Sequence, residues 1–160
     1  MNSGFDRTNW DEEYFRSVEY GWEFMLANLR HYLERHAGVP RRVAWPRRKI
    51  GISREATFQK LLGRGGLFQA GALDQLREGQ RYSLRAATGD AFSGHVEFVR
   101  PPRGFCITVE NLNNALLWLG IEGSAGKHEV QLWLSAYGLP DAQVTAFKES
   151  WAGILQKLFP

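Results

Sequence analysis

The feature that most constrains this chain is the period-two patterning between Arg81 and Tyr137. Tyr82, Leu84 and Ala86 alternate with Arg81, Ser83 and Arg85. Phe92, Gly94, Val96 and Phe98 alternate with Ser93, His95 and Glu97. Phe105, Ile107 and Val109 alternate with Cys106, Thr108 and Glu110. His128, Val130, Leu132, Leu134 and Ala136 alternate with Glu129, Gln131, Trp133, Ser135 and Tyr137. A period of two sends successive side chains to opposite faces, so each segment predicts a strand covered on one side. Leu116 to Ile121 is apolar on both faces, which predicts a strand covered twice or lining a cavity. The links Thr88-Gly89-Asp90, Pro101 to Gly104, Asn111 to Asn114 and Gly123 to Lys127 are too short for crossovers, so the sheet is antiparallel.

A sheet of this kind needs cover, and an amphipathic C-terminal helix can supply it. Pro140 and Asp141 open a C-terminal helix whose stripe is Val144, Phe147, Trp151, Ile154, Leu155 and Leu158. About 19 residues at ~1.5 Å each make it ~28 Å long. Near the N-terminus, Thr8 and Asp11 have capping-box spacing, and Asp11, Glu12 and Glu13 suit a first turn. Phe15, Val18, Trp22, Met25, Leu26, Leu29 and Leu33 then form a stripe. Arg30, His31 and Arg35 lie at the end favoured by positive charge, and Gly38 and Pro40 stop the helix. A rod of about 28 residues, ~40 Å, cannot cover its own stripe. It needs a sheet, another helix or a second chain. Between the helices, Arg42 to Ile52 predicts an edge or bulged strand broken by Pro46. Ser53 caps a short helix, Arg54 to Leu62. Gly63-Arg64-Gly65-Gly66 lacks both phosphate-loop and dinucleotide spacing and is read as its terminator. Leu67 to Leu76 predicts another short helical turn.

A chain of 160 residues, 44% hydrophobic and 23% charged, can bury one core. A single cysteine, Cys106, excludes an internal disulfide and a cysteine-built metal cage. No run of 18 apolar residues predicts a membrane span, and Met1 to Trp10 has no basic-then-apolar leader, so a reduced cytoplasm is the expected compartment. The net charge of +3 is unevenly placed: −3 over residues 1–36, +7 over 37–64 and −1 over 65–160. The basic excess centres on Arg41, Arg42, Arg47, Arg48 and Lys49 around Trp45. These residues are a candidate surface for a phosphate backbone or an acidic protein, or else a solvated edge strand. No nucleic-acid motif accompanies them, so no specific nucleic-acid partner is expected.

Residues that carry chemistry are sparse. His31, His36, His95 and His128 show no metal-ligand spacing, and no metal or cofactor is predicted. Gly51-Ile52-Ser53-Arg54-Glu55 fails the nucleophile-elbow pattern. Cys106 reads as a small apolar strand residue. Glu97, Glu110 and Glu122 fall on successive strands and would serve as acid–base groups only if aligned on a cavity. Aromatic residues are more suggestive. Trp118 and Trp133 on neighbouring strands, Phe98, and Trp151 on the last helix are candidates to line an apolar pocket, or else to pack a core.

The order of elements from about Arg42 to Phe159 resembles the helix-grip fold of the SRPBCC superfamily, the START-like domains. The texture is similar to its bacterial branch named for the activator of the ninety-kilodalton heat-shock protein ATPase. Ser53-Arg54-Glu55-Ala56-Thr57-Phe58, Gly94-His95-Val96-Glu97, and Tyr137-Gly138 leading into the helix with Trp151 carry the likeness. It implies an α+β fold in which a curled antiparallel sheet of five to seven strands wraps a long C-terminal helix. The units are then residues 1–40, an extra long helix and linker, and residues 41–160, the helix-grip domain. The resemblance implies a non-catalytic domain binding an apolar small molecule between sheet and C-terminal helix. Its alternatives are an interaction module meeting a chaperone or another acidic protein, and a polyketide-cyclase-like enzyme. The first 40 residues depart from the pattern. Gly21 to Glu34 looks like the last helix of another such domain, as if the chain were the second half of a tandem. A helix without its native groove predicts a homodimer, with Trp22, Met25, Leu26 and Leu29 in the interface.

Overall fold

The alternating segments pair as their turns require, each strand running antiparallel to its neighbour. A computed structural model describes residues 12–69, 76–124 and 127–160. Among these, seven strands form one sheet: β1 (Arg41–Ala44), β2 (Arg47–Ile50), β3 (Arg81–Arg85), β4 (Ala91–Arg100), β5 (Gly104–Val109), β6 (Ala115–Ser124) and β7 (Lys127–Tyr137). The order is β1-β7-β6-β5-β4-β3, and β2 pairs further along β7. The helices are α1 (Glu12–Arg35), α2 (Arg54–Leu62) and α3 (Asp141–Leu158). Pro46 divides β1 from β2 at this edge. Lacking an N–H, it offers only its carbonyl, which accepts from the Leu132 amide at 3.0 Å. The Ser53 hydroxyl accepts from Ala56 N–H at 3.2 Å and caps α2. Gly66 then packs so closely on the Leu61 carbonyl that a Cβ would sit 2.2 Å from its oxygen.

The sheet is covered twice. On the inner face Phe92, Val96, Phe105, Ile107, Leu117, Leu119, Ile121, Val130, Leu132 and Leu134 meet Trp151 and Leu155 of α3 and Phe58, Leu61 and Leu62 of α2. On the outer face Phe98, Cys106, Leu116 and Trp118 meet Tyr20 and Phe24 of α1. The two-sided burial predicted for Leu116 to Ile121 is therefore double cover.

Three expectations are corrected. Phe98 does not share a face with Phe92 and Val96. Val96 lies opposite Ile107 but Phe98 lies opposite Cys106, so the register slips at Glu97. This bulge turns Phe98 to the outer face and returns Val99 to the inner one. Phe68 pairs with Ala86 in an isolated bridge rather than beginning a helical turn. Residues 70–75 of that segment, the Thr8–Asp11 cap and the tip of the turn at 125–126 lie outside the described residues.

The largest correction concerns α1. It does find a groove within its own chain, on the outer face of the sheet. It docks there with Tyr20, Phe24, Asn28 and His31, all buried. Trp22, Leu26, Leu29 and Leu33 of the predicted stripe face solvent at 63%, 63%, 53% and 61% exposure, with Phe15 and Met25 also exposed.

Candidate functional site

The inner face keeps a recess between the sheet and the first half of α3. Strand β4 contributes Phe92, β7 contributes Leu134, and the turn after β5 contributes Asn111 and Leu112. Helix α3 closes it with Val144, Phe147 and Trp151. The cleft measures about 440 Å³. Trp151, 1% exposed, anchors its deep end. Its indole stacks on Phe92 at 5.9 Å and on Phe147 at 5.2 Å, and meets Phe68 at 5.9 Å on the far side. Polar groups gather at the rim: Thr88, Asp90, Asn111, Gln143 and Ser150. Asp90 is the one carboxylic acid among the lining residues, and it accepts from the Thr88 hydroxyl at 2.7 Å. An apolar hollow with a few polar groups at its mouth suits a small molecule with one polar end.

Of the four residues expected to line a cavity, only Trp151 reaches this cleft. Trp118, Trp133 and Phe98 lie on the opposite face. They belong to a continuous run of rings under α1: Phe98–Tyr20 at 5.8 Å, Tyr20–Trp118 at 5.3 Å, Phe24–Trp118 stacked at 4.8 Å, Phe24–Trp133 at 5.8 Å and Trp133–Trp45 at 4.7 Å. Trp118 and Trp133 are directly opposite across β6 and β7, as neighbouring-strand placement suggested. Trp118 lies over Gly120, where an added Cβ would come within 2.2 Å of the indole. Val144 and Phe147 were legible as part of the helix stripe. Leu112 was not, because it sits in an asparagine-rich turn that carries no periodicity.

The basic segment does not form a free positive patch. Arg42 pairs with Asp141, Arg47 stacks on Trp45 at 4.3 Å and lies 3.8 Å from Glu129, and Arg48 donates to the Phe159 carbonyl at 2.8 Å. These arginines hold the β1–β2 edge to β7 and α3. Arg41 and Lys49 remain exposed.

The three glutamates are separated. Glu97, at the bulge, pairs with Arg30 of α1 at 2.6 Å. Glu110 pairs with Arg81 at 2.9 Å beside His95. Glu122 lies on the outer face beneath α1, where burial raises its pKa against the pull of Ser17, Arg103 and Arg54. Burial also pushes the Cys106 thiol well above its ordinary value, which removes thiolate chemistry at neutral pH. Among the described residues no cluster of three or more histidine, cysteine or acidic side chains is placed to hold a metal ion. No described helix is long and apolar enough to cross a membrane.

No family model matches the chain, and no curated protein does. Solved structures do match it. A protein of Staphylococcus saprophyticus is 16% identical with a TM-score of 0.56, over 74% of this chain and 89% of that one. The Aha1 dimer of Colwellia psychrerythraea is 15% identical with a TM-score of 0.54, over 74% and 93%. DynU16, from the dynemicin biosynthetic locus, is 17% identical with a TM-score of 0.52. That match covers 72% of this chain but only 45% of DynU16. At these identities the likeness shows the fold alone: an α+β arrangement in which a curled antiparallel sheet packs on a long C-terminal helix, as in the Aha1 structure.

Proposed function

We propose that the protein is a non-catalytic binding domain that holds a small apolar molecule in the cleft between the sheet and α3. The observation that carries this reading is the cleft itself, about 440 Å³ with aromatic walls formed by Phe92, Phe147 and Trp151. Binding is favoured over a polyketide-cyclase-like reaction by the lining. Asp90 at the rim is the one carboxylic acid among the lining residues, and a cyclisation needs an acid or base deeper, against the reacting carbons.

The test uses 8-anilinonaphthalene-1-sulfonate, whose fluorescence rises in apolar clefts. Wild type is expected to bind it saturably, and Val144→Trp, which fills the cleft, to abolish the signal while the circular dichroism spectrum is retained. Leu26→Glu with Leu29→Glu serves as control, because the exposed face of α1 could also take the probe. Binding that survives Val144→Trp but is lost in this control would remove the cleft reading.

A second reading, an interaction module, is favoured by one observation: the apolar outer face of α1 is exposed over most of its length. Soluble monomers rarely leave such a patch bare. The fold is shared with a protein solved as a dimer, and a second copy of this chain is the partner this reading assigns to the face. The acidic-partner form of the reading is weaker, because Arg42, Arg47 and Arg48 are already engaged. A chaperone partner would have to meet Arg41 and Lys49 alone on this edge.

A further inference from the structure

Another hollow opens on the other side of the sheet, beside α1. It measures about 320 Å³ and shares no lining residue with the inner cleft. Its aromatic walls are Phe24 of α1, Trp118 of β6, Trp133 of β7 and Trp45 between β1 and β2. Phe24 and Trp118 are buried and Trp45 is exposed, so the aromatic lining runs from the core to solvent. Gly21 of α1 borders the same space. Glycine inside a helix is less stable than alanine, yet nothing lies within 4 Å of the place its Cβ would take. No close contact requires this glycine, and its missing side chain leaves the hollow open.

Ser17, Gln131 and Glu122 bring polar groups to this lining, and two of them are engaged. The Ser17 hydroxyl accepts from Arg103 at 2.9 Å. Gln131 accepts from Trp45 Nε1 at 3.2 Å and donates to Glu129 at 3.1 Å. Glu122 differs. Both its oxygens are buried, with no hydrogen-bond partner among the described residues. Arg103 and Arg54 pull its pKa down, but burial outweighs them. Both guanidiniums are held elsewhere, Arg103 on Ser17 and Arg54 on the carbonyls of Ile121 and Gly123 at 3.0 and 2.8 Å. Glu129, opposite Glu122 across β6 and β7, lies 3.8 Å from Arg47. Lys49 and Lys127 are exposed, where water and salt screen them. A buried carboxylate without a hydrogen-bonded partner is costly, and a cation in the hollow relieves that cost.

The walls select the kind of cation. A primary ammonium brings three N–H donors, and one open carboxylate does not meet all three. A quaternary ammonium has no donor to satisfy, and its methyl groups spread the charge over aromatic rings. The chain already makes a contact of this kind at the rim, where the Arg47 guanidinium lies 4.3 Å over Trp45. We infer that this hollow binds a small quaternary ammonium compound, its charged head held by the aromatic walls and by the Glu122 carboxylate. The site is separate from the inner cleft and does not depend on what that cleft holds.

Choline and its uncharged isostere 3,3-dimethylbutan-1-ol, titrated into the intact chain, test this through tryptophan fluorescence. Choline should bind saturably, with a Kd on the order of 1 mM or tighter for so small a probe. The isostere should bind ~10-fold or more weakly. Glu122→Gln keeps the shape and removes the charge. It should weaken choline by ~10-fold or more and leave the isostere unchanged. Gly21→Leu fills the hollow from a helix that gains by losing a glycine. It should abolish choline binding with the circular dichroism spectrum retained. Val144→Trp, which fills the inner cleft, should leave choline binding as it is. Equal affinity for the two probes, or choline binding indifferent to Glu122→Gln, would make the hollow merely apolar and overturn the inference. No saturation by choline, or binding that survives Gly21→Leu, would overturn it as well. Binding lost in Val144→Trp and kept in Gly21→Leu would place the probe in the inner cleft, again against the inference.

Discussion

Helices α1 and α3 cover opposite faces of one sheet, yet they treat their sequence stripes in opposite ways. Helix α3 turns the stripe Val144, Trp151, Leu155 inward, as its periodicity implies. Helix α1 turns the more obvious stripe outward and docks with a second one, Tyr20, Phe24, Asn28 and His31. The reason lies in the two faces of the sheet. The inner face is apolar apart from the buried His128 near the end of β7, and it accepts hydrocarbon. The outer face is mixed, with Thr108, Glu122, Gln131, Ser135 and Tyr137 among its residues, and it needs partners with polar tips. Tyr20 donates to the Leu119 carbonyl at 2.8 Å, His31 donates to the Asn114 carbonyl at 2.7 Å, and Asn28 accepts from the Tyr137 hydroxyl at 3.1 Å. A buried polar group without a partner costs more than a bare leucine on a surface. These three hydrogen bonds, together with the stacking of Phe24 on Trp118, favour the side of α1 that is buried.

The sharpest way to break this contrast is to empty each interface in turn. Trp151→Ala should cost roughly 3–5 kcal/mol in urea unfolding, since the indole is enclosed by three other rings. Phe24→Ala should cost about 3–4 kcal/mol, because Phe24 is buried between Trp118 and Trp133. A loss below about 1 kcal/mol at Phe24 would mean that α1 is a loosely attached arm and not a second core.

Acid should loosen α1 before α3. Burial lowers the His31 pKa below its ordinary value, ahead of the opposing bond to Asn114. The unfolded chain then binds the proton more readily than the folded one. This contribution to stability is present above the ordinary histidine range and is lost as pH falls through it. Melting temperature followed from pH 7 to 5 should drop more steeply for wild type than for His31→Gln, and parallel curves would remove His31 as the cause. The smallest effect belongs to the outward face of α1. In a chain kept monomeric by dilution, Trp22→Ala should change unfolding by less than about 0.5 kcal/mol, and a larger loss would show that Trp22 supports the domain itself.

Much of the fold was legible because period-two patterning and short turns leave few alternatives. Tyr82, Val96, Ile107 and Leu132 were assigned to their face by alternation alone. Alternation failed at Phe98, because a bulge has no signature in residue type. The candidate cleft was half legible. Trp151, Val144 and Phe147 announce themselves on the α3 stripe, while Leu112 is brought to the rim by a 3₁₀ turn at Glu110–Leu112. Trp118 and Trp133 were correctly placed as neighbours, but strand position does not say which helix lies above them.

Local periodicity and turn chemistry were enough to place most of the strands, their antiparallel pairing through short turns and the two amphipathic helices. Which face of α1 meets the sheet, where the tryptophans point and which arginines are engaged are set by long-range contacts. Those outcomes depend on hydrogen bonds and ion pairs between residues far apart in the chain, such as Asn28 with Tyr137 and Arg42 with Asp141. No local pattern records a partner a hundred residues away.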